Sequence, residues 1–333
     1  MLVVVLLASI LACRTAAPPQ PEAPVQKTVV IPPPPPPDPV SMLEKSTIFS
    51  VYGKAFNMAP ILGRLGTYEN FDAMAADTKP FVQQIAKVND GKTVVVGMHL
   101  IYGLAIPCAP KAPACLQYLE GATGDLVENY IKPAAARGWV VFLDTQLGRS
   151  TPAAQVQRMI DKGYLNYDNV HVAVDPEFHL YPDKDLPGTP VGTITAEQVN
   201  AAQELLDGVV VKNHLKTKKI LMVHQFGEAL IRDRIPVMIQ DKGTLLHVKN
   251  VDLVIDADGL GSPAVKVTKY NAITDSQEYP PIRFRGIKVF FPNQWEKHGH
   301  FDRPPMSVEE VFGIKGVSAN VRMATKPDIV IIA

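Results

Sequence analysis

From residue 46 onward, short apolar runs alternate with longer segments in which apolar residues recur every three or four positions. Eight of the short runs read as buried strands, at residues 47–52, 93–99, 139–144, 170–175, 220–224, 251–256, 286–291 and 328–332. The fourth is the clearest. Val170, Val172 and Val174 occupy every second position, and Pro176, which has no N–H to give a ladder, ends the run.

Helix signals fill the intervals. Residues 71–88 carry apolar positions at helical spacing and stop at Asn89-Asp90-Gly91; residues 125–136 stop at Arg137-Gly138. Thr151-Pro152 has the form of an N-cap followed by a first-turn proline, leading into 153–160. Thr195 with Gln198, and Ser307 with Glu310, have capping-box spacing. Weaker helical patterns cover 226–239, which Pro236 must break, and 262–273. Eight strands joined by crossovers long enough for helices predict an α/β fold of the (β/α)8 TIM-type barrel class, ending at the eighth strand with its last helix missing or replaced. An open doubly wound sheet fits less well, because Gly53-Lys54-Ala55-Phe56 after the first strand offers no glycine-rich nucleotide loop.

Composition adds what precedes the barrel. The chain has 333 residues, 47% of them hydrophobic, enough for a full-sized core. Lys+Arg and Asp+Glu balance at 33 each, which gives no electrostatic case for nucleic acid or a polybasic membrane surface. Many of the 30 prolines crowd into residues 18–39, including an unbroken run from Pro32 to Pro37. Residues 14–45 are therefore expected to be an extended, disordered tether, with the barrel domain over 46–333. The apolar run at 2–12 is too short to span a bilayer as a helix and has the length of the apolar region of a signal peptide. Ile10-Leu11-Ala12-Cys13 resembles the lipobox of bacterial lipoproteins. That resemblance implies a signal peptide over 1–13, lipidation of Cys13, export, and a protein anchored to a bacterial membrane. Cys108 and Cys115 bracket a six-residue, proline-containing loop and are expected to close a small disulfide ring in an oxidising compartment; a zinc pair is the alternative, without a nearby second pair of Cys or His.

Barrels of this class place their chemistry at the C-terminal ends of the strands. Those exits carry His99 and Tyr102; Asp144, Gln146 and Arg149; Asp175, Glu177 and His179; His224, Gln225 and Glu228; Asp256 and Asp258; and Asn293, Gln294 and Trp295. Catalytic expectations fall on Glu177, Asp175, Asp144, Asp256 and His224. Tyr102, Gln146, Arg149, Gln225, Glu228, Asp258, Asn293 and Trp295 are expected to contact substrate. An extended chain would put Asp175 and Glu177 on one side, where like charges keep one of them protonated. Glu177 is the expected proton donor, and Asp175 the acid expected to stay ionised by accepting hydrogen bonds from Gln146 or His224. Asp175-Pro176-Glu177 resembles the Asp-x-Glu ending of the strand-4 motif in chitinase-type glycoside hydrolases, although Val170 and Ala173 stand where that motif has further acids. The resemblance implies a Glu acid and an Asp that assists the substrate's acetamido group.

The expectation is thus a cell-envelope hydrolase acting on a glycan or cell-wall substrate, with no cofactor and no metal, and of unspecified oligomeric state. Two alternatives stand beside it. Asp144, Asp175, His224 and Asp256 could bind a divalent ion for amide or ester hydrolysis, although the only His-x-His, His298-Gly299-His300, falls in a charged segment far from the first strand. A tethered barrel that binds glycan without turning it over is the other.

Overall fold

The computed structural model describes residues 37–58, 63–109, 112, 114–180, 185–189, 191–225, 245–273, 283–292 and 301–333. Nine strands lie within them: β1 (Ser46–Gly53), β2 (Thr93–Ala105), β3 (Leu116–Tyr118), β4 (Val140–Thr145), β5 (Val170–Val174), β6 (Lys219–Gln225), β7 (Val251–Ala257), β8 (Phe284–Val289) and β9 (Ile329–Ile332). All except β3 are parallel neighbours around a closed wall, sealed where β1 pairs with both β2 and β9. The (β/α)8-type barrel expected from the sequence pattern is the fold observed. The short β3 runs antiparallel against the end of β2. Three residues are too few for a period-two signal, and β2 extends past residue 99 to meet it.

The crossovers carry α1 (Phe71–Ile85), α2 (Glu120–Thr123), α3 (Lys132–Ala136), α4 (Pro152–Asp161), α5 (Ala196–Lys212), α6 (Pro263–Ile273) and α7 (Val308–Val311). Their caps follow the sequence signals. Thr151 accepts from the Ala154 N–H, and Thr195 and Ser307 each complete a capping box. The 125–136 segment enters α3 through a π-helical turn at Val127–Ile131. The predicted helix at 226–239 lies outside the described residues.

Strand alternation sorts the core into two layers. Ile48, Ile101, Val140, Phe142, Ala173, Ile220, Met222, Val254, Phe284 and Ile331 fill the barrel. Their strand neighbours, among them Val51, Leu100, Val141, Val172, Leu221 and Ile287, pack outward with Val156, Met159, Val199, Leu206 and Val267 of the helices. Each fully buried aliphatic side chain contributes about 1.5–3 kcal/mol, so the layers fix which strand residues face inward.

The body starts before Ser46. Val40 exchanges backbone hydrogen bonds with Lys216 and Lys218, both 3.0 Å, and Leu43 is fully buried in the interior cluster. The disulfide Cys108–Cys115 closes its ring with the Cα atoms 5.5 Å apart. Among the described residues, no helix is long and apolar enough to cross a membrane.

Candidate active site

Continuing the inward register one step past the apolar layer changes the chemistry. Phe142 is followed by Asp144, Ala173 by Asp175, Met222 by His224, Val254 by Asp256 and Gly286 by Lys288; Tyr52 and His99 join them from β1 and β2. None of these side chains keeps more than a few per cent of its surface in water. Gly286 makes the room: a Cβ there would fall 2.5 Å from Asp256 Oδ1.

At the centre stand two imidazoles. His224 Nδ1 lies 2.7 Å from Asp256 Oδ2, while its Nε2 faces His99 Nε2 at 3.4 Å and Asp144 Oδ2 at 3.5 Å. His99 Nε2 is 3.3 Å from the same Asp144 oxygen. Both Asp144 oxygens nevertheless lack a partner in hydrogen-bond geometry. Lys288 Nζ pairs with Asp258 Oδ2 at 2.9 Å and lies 3.6 Å from the centre of the Tyr52 ring. Behind it, Lys269 donates to the Asp258 carbonyl at 2.7 Å, and Lys266 to Gly259 O at 2.9 Å.

The charges separate accordingly. Burial opposes ionisation of Asp144, but His224 and His99 outweigh it and hold the carboxyl below the usual range. Burial likewise opposes the Asp258 charge, and Lys288 and His224 overcome it. For His224, burial favours the neutral ring, while Asp144 and Asp256 push its proton affinity well above the ordinary value. Burial moves the other two acids the opposite way. Asp175 is raised to about 7 by burial and by the charges of Asp144 and Asp258, with His224 and Lys288 pulling against them. Glu177 is raised to about 9 by burial, then by Asp175 and Asp258.

Asp175 and Glu177 do not sit on an extended chain as the alternation predicts. Residues Pro176–Phe178 form a single 3-10 turn, and Asp175 is its N-cap, accepting from the Glu177 N–H at 3.3 Å. Aspartate before proline favours this, since its side chain satisfies a donor that the turn leaves free. Neighbouring loops hold the turn: Gly192 N donates to Glu177 O at 2.8 Å, and His179 Nδ1 lies 2.7 Å from Thr193 O. The expected support for an ionised Asp175 is absent. Gln146 Oε1 instead accepts from the Ala105 N–H at 3.0 Å, and His224 Nδ1 faces Asp256.

The other predicted residues divide. Asp258 joins the charged group. Arg149 stays outside it, donating to the carbonyls of Ala109 and Ala112 within the disulfide ring, both at 3.3 Å. Tyr102 turns to the outer layer, where Arg158 donates to its hydroxyl at 2.9 Å and the Tyr118 and Tyr164 rings pack against it. Gln225 is buried on the face of β6 opposite His224, and its carbonyl accepts from the Asp258 N–H at 3.1 Å. Glu228, Asn293, Trp295 and the lipobox cysteine Cys13 lie outside the described residues. Sequence reasoning passed over Lys288 and Tyr52. A lone lysine in the apolar run Gly286-Ile287-Lys288-Val289 is itself a signal, because a buried ammonium requires a buried anion. Comparison with protein-family models and with curated proteins finds no match to this chain.

Proposed function

We propose that the protein is a hydrolase that cleaves glycosidic bonds of a polysaccharide or peptidoglycan-type substrate by carboxylate acid/base catalysis at the barrel mouth. The observation that carries this reading is the β5 exit, where two carboxyl groups share one turn, Asp175 buried and Glu177 partly buried, with Asp175 capping the turn that bears Glu177. A carboxyl raised to about 9 keeps its proton at neutral pH and can give it to a leaving oxygen. Asp175, raised to about 7, ionises first and supplies the negative charge that stabilises an oxocarbenium-like centre or positions an acetamido group. The rate should rise as pH climbs through about 7 and fall through about 9, the two limbs belonging to the coupled pair.

The proposed setting is the cell envelope, with a lipid anchor at Cys13; the Cys108–Cys115 disulfide supports an oxidising compartment. Release of soluble fragments from peptidoglycan, chitin and common polysaccharides tests the reading. The wild-type protein should release fragments from at least one, and Glu177→Gln should not. Fragment release undiminished in Glu177→Gln, or none from any substrate by the wild-type protein, would overturn it.

A further inference from the structure

We infer that His99, Asp144 and His224 form a binding site for a divalent metal ion of the zinc type, held by two imidazole Nε2 atoms and one carboxylate oxygen. The three atoms lie 3.3, 3.4 and 3.5 Å apart, a nearly equilateral triangle. Ligands about 2.0–2.1 Å from a tetrahedral ion are separated by about 3.4 Å, so the triangle matches one face of such a site. All three residues are fully buried and come from three strands, β2, β4 and β6, whose wall fixes their spacing.

A second observation points the same way. Asp144 is wholly out of water, yet neither of its oxygens completes a hydrogen bond, and Oδ2 is aimed at the two ring nitrogens. A buried carboxylate without a completed hydrogen bond is costly, and a cation at the centre of the triangle satisfies it directly. The outer contacts are those of a metal-bound histidine. His224 Nδ1 lies 2.7 Å from Asp256 Oδ2; an N–H donated there fixes the tautomer, and the ion replaces the second ring proton at Nε2, whose lone pair then points into the triangle. His224, Asp256 and Asp258 also cluster, but 2.7 Å is a hydrogen-bond length and is too short for two ligands of one ion, so the aspartates belong to the surrounding shell.

This site does not depend on Glu177 donating a proton, although an ion there would add positive charge close to Asp175, which already feels Asp144 and His224. Purified full-length protein is stripped with chelator, dialysed against zinc, and its metal content measured. The wild-type protein should take up about one zinc per chain, whereas folded His224→Ala and Asp144→Asn should each hold less than about a tenth of that. Asp256→Asn should bind about 10–100-fold more weakly. His171→Leu, on the same barrel interior, should bind as wild type. Cobalt(II) uptake by the unaltered protein, read as the visible absorption of a four-coordinate ion, keeps the test independent of the variants' folding. Failure of the wild-type protein to take up either metal, or full zinc content in folded His224→Ala or Asp144→Asn, would overturn the inference.

Discussion

His171 and His224 lie on adjacent strands, both point into the barrel, and both are fully buried, yet their environments drive them to opposite charge states. His171 is two residues into β5, near the strands' N-terminal end. Its Nδ1 accepts from the Ile220 N–H at 3.2 Å, and burial, with Lys219 nearby, takes its pKa well below the ordinary value. His224 is at the other end of the next strand, between Asp144 and Asp256, which favour positive charge there. Burial alone therefore makes a histidine neutral; paired carboxylates reverse it. The same contrast holds for lysines. Lys219, at the N-terminal end, donates to the Tyr167 and Val170 carbonyls and is lowered to about 7, burial outweighing Asp168. Lys288, at the mouth, is raised by Asp258 against its burial. His171 and Lys219 at one end are met by backbone groups, whereas His224 and Lys288 at the other are set against carboxylates.

Substitutions at the two ends should therefore differ in kind, and the largest effect belongs to the mouth. Glu177→Gln should lower kcat by ~10²–10⁴ with little loss of fold, as measured by initial rates beside circular dichroism. Cys108→Ser with Cys115→Ser, in the loop that follows β2, should cost about 2–3 kcal/mol in denaturant unfolding by freeing the small ring. His171→Leu should cost about 1–3 kcal/mol of stability, because it orphans the Ile220 N–H, and should leave the rate unchanged. Tyr102→Phe should be the mildest, near 1 kcal/mol with the rate intact, since the hydroxyl serves Arg158 in the outer layer. A His171→Leu protein that folds but loses activity would break the division between the two ends.

Stability should carry the same signature. The unfolded chain loses the Glu177 proton near its ordinary 4.5, while the folded protein keeps it to about 9, so the stability present below 4.5 is lost progressively as pH rises toward 9. Glu177→Gln should flatten that decline in thermal melts taken across the range. Asp175 should contribute a similar loss between its ordinary 3.8 and about 7, and the slope it gives should survive in Glu177→Gln.

The barrel was legible because each strand carries its own signal: a β-branched apolar run ended by a polar residue, with capped helices between. The place of Asp144, Asp175, His224 and Asp256 at strand exits followed from the apolar run before each. What did not follow was anything depending on contacts between strands. Tyr102 trails His99 in the sequence and so reads as a mouth residue, but β2 continues to Ala105, and parity sends Tyr102 outward. Asp175 was expected to stay ionised by neighbours that are engaged elsewhere. Lys288 was missed because its partner, Asp258, is 30 residues distant and only the closed wall brings them together.

The central physical claim is that the mouth holds Glu177 neutral at neutral pH. Carbon-13 NMR of protein labelled at the glutamate side-chain carboxyl, with the Glu177 signal assigned by its loss in Glu177→Gln, reads this directly. A titration midpoint near 9 is the expected result; a midpoint near the ordinary 4.5 would contradict a neutral Glu177.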